Sequence, residues 1–347
     1  MRNVWVALIV TVTGACGSPN VVPIGDDEVP AVPEATARAV ELPFTTRGVV
    51  PERSGPPYPV VMAHGFFGFE AFAGVNQISY FYGVKDALAA RGEKNVFTPA
   101  VDPFNDSAAR GAALTKHVEE VIRQTGKAKV ILFGHSQGGL DARVVAHDHP
   151  ELVAAVVTFA TPHRGSPLGD LAQRAVTDLQ ARAAIDALVR LVGGPLWSEA
   201  QKETSLFAAL GQFAVAGIGP FNVKYTDAPG VPYFSFTGRS GMRRGADECN
   251  VPGRPAFITR WDDELDPTNV GLGATELYLE QNIFDPEPND GLVTVSSAKW
   301  GTFLGCVPAD HLDEIGQLFG ARPGLFNDWG YVDFYAAVIS MLRAKGL

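Results

Sequence analysis

Apolar positions recur along the chain in two alternating periods. Short apolar runs, "PVVMAH" at 59–64, "NVFTPA" at 95–100, Val130–Phe133 and "LVAAVVTFA" at 152–160, have the length and β-branched content of buried strands. Between them apolar residues stand three and four apart. This spacing predicts a helix around Ser79–Arg91 and one over Ser107–Gln124 with Leu114, Val118, Val121 and Ile122 on one face and Gly126 as its stop. A third begins at Leu140 and carries Val144 and Val145. Strand and helix in alternation predict an α/β domain, a mostly parallel sheet with helices on both faces. Further strands are predicted at 231–238 ("VPYFSFTG") and 291–297 ("GLVTVSS"), and a last helix over Tyr331–Arg343. From Leu168 to about Gly219 the pattern stays helical without strand boundaries, with Val176, Leu179, Ala183, Leu188, Leu191 and Val192 in one stripe. This insertion, within about residues 168–220, reads as a lid or cap over a site or as ordinary helices packed on the sheet.

The N-terminal stretch departs from this pattern. "MRNVWVALIVTVTGACGSPN" has one positive charge, an apolar run from Val4 to Val12 and small residues up to Cys16, the shape of an export signal too short to span a bilayer. The cysteine after small residues is similar to a bacterial lipoprotein signal, with lipidation of Cys16 as the expectation; a plain secretory signal that removes it is the alternative. Residues 17–45, rich in Pro, Gly and acidic residues, read as a flexible tether, and 46–347 as one α/β domain. Of three cysteines, Cys16 is the odd one if Cys249 and Cys306 pair in an oxidising compartment; two buried free thiols are the alternative. A net charge of −10 without basic runs excludes nucleic acid as an expected partner.

Candidate chemistry centres on "LFGHSQGGLDARVV", Leu132–Val145. Gly134-His135-Ser136-Gln137-Gly138 fits G-x-S-x-G at a strand-to-helix corner, where a sharp turn lifts a serine hydroxyl above the sheet. Ser136 is the candidate nucleophile, and a serine needs a histidine to take its proton and a carboxylate to orient that histidine. Four histidines follow it: His147, His149, His163 and His311. The first two lie at the far end of the elbow helix and His163 in the loop after the next strand, which leaves His311 in "CVPADHLDEIGQ". Asp290 in "PNDGLVTVSS" is the candidate acid, with Asp285 and Asp266 as rivals. Backbone donors for an oxyanion are expected from the N–H groups of Gln137 and, in the glycine-rich "AHGFFGFE", Phe66.

Five stretches in order, "YPVVMAHGFFGFE", "VILFGHSQGG", "FATPHRGSPLGDL", "NDGLV" and "DHLDEIGQLFG", resemble the bacterial family I, pseudomonad-type triacylglycerol lipases of the α/β-hydrolase superfamily over about residues 57–343. The resemblance implies the same set: Ser136 as nucleophile, Asp290 as acid, His311 as base, Phe66 and Gln137 as oxyanion donors. It also implies a structural Ca2+ held by Asp266, Asp313 and the backbone carbonyls of Gln317 and Ala321, pinning the loop that carries His311. A lid helix within Val176–Trp197 and a disulfide in the C-terminal half, in agreement with Cys249–Cys306, are further implications. Some members depend on a folding chaperone, which the resemblance admits as a partner. A lipid-anchored N-terminus is where this chain departs from the family.

The function expected is hydrolysis of long-chain acylglycerol esters at a lipid interface by an exported enzyme, held at the outer membrane or cell surface through Cys16 or secreted. The alternatives are a carboxylesterase or polyester depolymerase with the same triad, and, more distantly, a non-catalytic surface lipoprotein that keeps the fold as a binding module.

Overall fold

The computed structural model describes residues 53–66, 80–175, 205–241, 246–268, 272–280, 286–320, 323 and 327–347. The chain divides into two units, Met1–Val50 and Pro51–Leu347, and the structure described is that of the second. The export signal, Cys16, the tether, the lid stretch 176–204, Asp285 and Ala321 lie outside the described residues.

Six strands, β1 (Val60–Ala63), β2 (Val96–Phe97), β3 (Val130–His135), β4 (Val153–Phe159), β5 (Tyr233–Gly238) and β6 (Thr302–Val307), form one sheet in the order β2-β1-β3-β4-β5-β6. Every neighbouring pair is parallel. Every residue of β1, β3, β4 and β5 is buried, as expected where helices cover both faces. Alternation along the strands splits the core. Val60, Met62, Ile131, Phe133 and Phe159 pack with Phe334, Tyr335, Val338 and Leu342 of the C-terminal helix Tyr331–Ala344. Val61, Ala63, Leu132 and Val156 face the other way, onto α2 (Ser107–Thr125) and α3 (Gln137–Asp148) through Leu114, Val118, Ile122 and Val145.

Local chemistry sets the helix ends. The Asp106 carboxylate accepts from the N–H groups of Ala108 and Ala109, and Gly126, left-handed at φ 65°, closes α2 with its N–H on the Ile122 carbonyl. The first helix, α1, is shorter than its pattern, Val84–Ala90. It begins where Gly83 turns left-handed. In the inserted stretch the described helices are α4 (Pro167–Ala175), α5 (Leu206–Phe213) and α6 (Ile218–Lys224).

The strand expected at 291–297 does not form. Gly291 takes φ 90°, the Asp290 carboxylate accepts from the N–H groups of Leu292 and Val293, and Thr294 caps a short helix, Val295–Ala298. These side-chain acceptors satisfy the donors that a ladder needs. The sixth strand begins further on, over Thr302–Val307, where Cys306 reaches Cys249 in a disulfide. Hence the expected pairing of Cys249 with Cys306 is present.

Candidate active site

The elbow joins β3 to α3 at Ser136, which holds φ 54° and ψ −130°, a strained conformation for a residue other than glycine. Its N–H donates to the Phe159 carbonyl at 2.9 Å and its carbonyl accepts from Gly139 at 3.1 Å, so the corner is tied to β4 and to the first turn of α3. Both motif glycines are required by contact. A Cβ on Gly134 would stand 2.4 Å from the carbonyl of Gly138, and one on Gly138 would stand 2.1 Å from the Ala63 carbonyl oxygen.

His311 and Asp290 meet although 21 residues apart, with His311 Nδ1 2.9 Å from Asp290 Oδ2. The His311 N–H also donates to the Asp290 carbonyl at 2.9 Å. The other carboxylate oxygen, Oδ1, accepts from Leu292 and Val293 at 2.8 and 2.7 Å. Thus the Asn-Asp-Gly corner that displaced the expected strand is what aims Asp290 at the imidazole. The His311 ring stands 4.6 Å from the ring of His135, the residue immediately before Ser136. An apolar cavity of about 150 Å³ opens beside Ser136, lined in part by Phe66, Leu168, Leu210, Phe213 and Leu292.

Groups that sequence reasoning missed brace this arrangement. Arg110 of α2, wholly buried, donates from Nε to Asp141 Oδ2 at 2.8 Å, from Nη1 to the Asp102 carbonyl at 2.6 Å and from Nη2 to the His64 carbonyl at 2.6 Å. It thereby ties the stretch leading to Phe66 to the elbow helix. His64 accepts the Val101 N–H at Nε2, so its Nδ1–H donates to the Gly65 carbonyl. Burial and Arg110 push its pKa down to about 3, which keeps it neutral. A Cβ on Gly65 would stand 2.7 Å from Ser136 Cβ and 2.5 Å from Tyr80 Oη. Tyr80 Oη and Glu314 Oε2 each lie 2.7 Å from a ring nitrogen of His135, and burial drives that histidine's pKa well below its ordinary value. The Glu314 pKa is pushed up by burial and by nearby Asp290. No local pattern announces these partners, because they meet only through the sheet.

The set-aside histidines are accounted for. His163 stacks on Trp300 and bonds Thr158 Oγ1, and His147 faces the Thr226 carbonyl. His149 lies beside Glu151 at the surface.

Of the rivals to Asp290, Asp266 sits elsewhere. Asp266, Asp310 and Asp313 each present an oxygen within 4.8 Å of the others. Asp266 is fully buried and neither of its carboxylate oxygens makes a hydrogen bond of good geometry among the described residues. Burial first, then Asp310 and Asp313, raises its pKa to about 9, and burial with Asp310 raises that of Asp313 to about 7. An all-oxygen, anionic donor set with orphaned buried acceptors fits a hard cation. Gln317 opens the short helix that follows, with its side-chain amide on the Tyr80 carbonyl.

A nucleophile elbow on the C-terminal edge of a parallel sheet, with acid and histidine later in the chain, is the arrangement of the α/β-hydrolases. The family model for the alpha/beta hydrolase fold matches residues 58–212. A triacylglycerol lipase of Pseudarthrobacter phenanthrenivorans is 32% identical over 298 residues, covering 76% of this chain and 90% of the relative. A triacylglycerol lipase of Vibrio cholerae is 33% identical over 300 residues, covering 84% of this chain and 89% of the relative. The chain belongs to the triacylglycerol lipase family. In fold it is similar to the crystal structure of Staphylococcus hyicus lipase, with a TM-score of 0.61 at 17% identity over 85% of this chain and 98% of that one.

Proposed function

We propose that the protein hydrolyses long-chain acylglycerol esters through an acyl-enzyme. Ser136 Oγ attacks the ester carbonyl, His311 takes its proton and returns it to the leaving alcohol, and Asp290 holds the imidazole in the tautomer that can do so. The oxyanion is received by the N–H groups of Phe66 and Gln137. A water activated by His311 then releases the fatty acid and restores Ser136. The observation that carries this reading is the 2.9 Å bond between His311 Nδ1 and Asp290 Oδ2, with the His311 ring packed beside the residue that precedes the strained serine. The apolar lining next to Ser136 supports a hydrocarbon acyl group as the part of the substrate it receives.

The proposal includes a calcium ion held by Asp266, Asp313 and the backbone carbonyls of Gln317 and Ala321. When bound, the ion neutralises the buried carboxylates and ties Asp313, two residues from His311, to the segment that carries Asp266. It extends to export with a lipid anchor at Cys16, and to a lid within the stretch 168–220.

The test is hydrolysis of short-, medium- and long-chain triglyceride emulsions, in the presence of calcium, by the wild type and by Ser136→Ala. Long-chain turnover abolished in the variant is the expected result. Turnover confined to short soluble esters, with no gain at the emulsion surface, would move the protein to the carboxylesterases. Unchanged activity in Ser136→Ala would overturn the mechanism.

A further inference from the structure

Asp310 stands one residue before His311 and takes no part in the triad. We propose that it is a third carboxylate ligand of the cation site, so that this chain grips a hard cation with three negative side chains in place of the two that the resemblance implies. The inference rests on the cation reading above and changes its ligand set.

Two observations carry it. The oxygens that Asp266, Asp310 and Asp313 offer one another all lie within 4.8 Å. Calcium binds oxygen at about 2.3–2.6 Å, so two ligands of one ion stand at most about 5.2 Å apart, and a triangle of this size encloses one ion. Independently, Asp266 is fully buried with both carboxylate oxygens lacking a hydrogen bond of good geometry among the described residues, and it faces that triangle. A buried carboxylate in this state calls for a cation. Asp310 is also held in place for the task. Its Oδ1 accepts from the N–H groups of Leu312 and Asp313 at 2.9 and 3.0 Å, which fixes the carboxylate plane on the same turn that presents Asp313.

Three carboxylates exceed the charge of a divalent ion and equal that of a trivalent one. The third charge therefore strengthens calcium binding and strengthens binding of a trivalent lanthanide more. Asp310→Asn isolates the charge, because the amide oxygen can still accept from Leu312 and Asp313. Asp310→Ser, which keeps an acceptor for the same N–H groups, is the second variant should the first not fold.

The experiment uses the full chain stripped by a chelator, with calcium affinity read by titration calorimetry and Tb3+ affinity by luminescence. Activity is not the readout, since a charge change beside His311 alters turnover by itself. Asp310→Asn is expected to bind calcium at least about tenfold more weakly than the wild type, and to lose a larger factor for Tb3+. Asp313→Asn serves as the control that loses binding. Wild-type affinity for both ions in Asp310→Asn, with binding lost in Asp313→Asn, would overturn the assignment and leave Asp310 as a turn-former. A wild type that binds neither ion would instead remove the cation reading itself, and the assignment with it.

Discussion

Replacing Arg110 by Met removes a guanidinium that donates to Asp141 Oδ2 and the His64 carbonyl, both in the interior, and to the partly buried carbonyl of Asp102. Stranding one partner of a buried ion pair costs about 3–5 kcal/mol, and each carbonyl left without a donor about 1–3 kcal/mol. These contributions share one site and do not add fully, so the expected loss is about 5 kcal/mol, a large part of a typical domain's stability of about 5–15 kcal/mol. Burial already raises the Asp141 pKa to about 6 beside its cation. Without Arg110 the neutral acid is favoured further, and the deficit of the variant grows with rising pH. The double variant Arg110→Met, Asp141→Leu has no carboxylate to strand and should recover about 3 kcal/mol. Its His64 carbonyl remains unanchored, and with it the stretch that leads into Phe66. If the Phe66 N–H receives the oxyanion, the double variant stays about 100-fold down in kcat on a short soluble ester, with KM little changed. Urea denaturation at pH 8 and ester kinetics on the wild type, both single variants and the double variant read the two effects separately. A double variant that regains activity together with stability would refute the argument, leaving Arg110 as a counter-charge and nothing more.

Chelation should act more strongly at alkaline than at acid pH. Without a cation, burial and neighbouring carboxylates hold Asp313 at about 7 and Asp266 at about 9, against an ordinary 3.8. Between about pH 4 and those values the folded chain binds more protons than the unfolded one, so its stability falls as pH rises, whereas a bound cation removes that slope. The gap in Tm between calcium and chelator is therefore small at pH 5 and widens towards pH 8; an equal gap at both would contradict it. Removing the Cys249–Cys306 bridge by double substitution with Ala, which opens a loop of 57 residues, should lower stability by about 4 kcal/mol. An unchanged urea midpoint would show that the bridge does not constrain the unfolded chain.

Where one period dominates locally, the sequence was legible. Buried strands β1, β3 and β4 and helix α2 fall within a residue or two of their patterns, because an unbroken apolar run or a one-sided stripe leaves few alternatives. The elbow could be read because its glycines are fixed by backbone contact, which leaves a mark on the sequence. The stretch 291–297 misled because Leu292, Val293 and Val295 have strand composition, while Asp290 and Thr294 supply the acceptors that decide the backbone. β6 was missed because Thr302 is exposed, Phe303 is partly exposed and Gly305 takes φ 114°, so no apolar run marks it. Arg110 with Asp141, and His135 with Glu314, are pairs made by tertiary folding, 31 and 179 residues apart, and no local spacing encodes them.

The disulfide closes a loop that contains both Asp266 and Asp290, and within that loop the side chains of Leu277 and Tyr278 lie open to solvent, at 70% and 42% exposure. A protease that cuts beside them severs the peptide chain but not the molecule. The two fragments, one carrying Ser136 and Asp266 and the other Asp290 and His311, stay joined through sulfur and migrate as one species until a reductant is added. Under proteolysis, a nicked two-chain form can thus keep Ser136, Asp290 and His311 on one covalent frame.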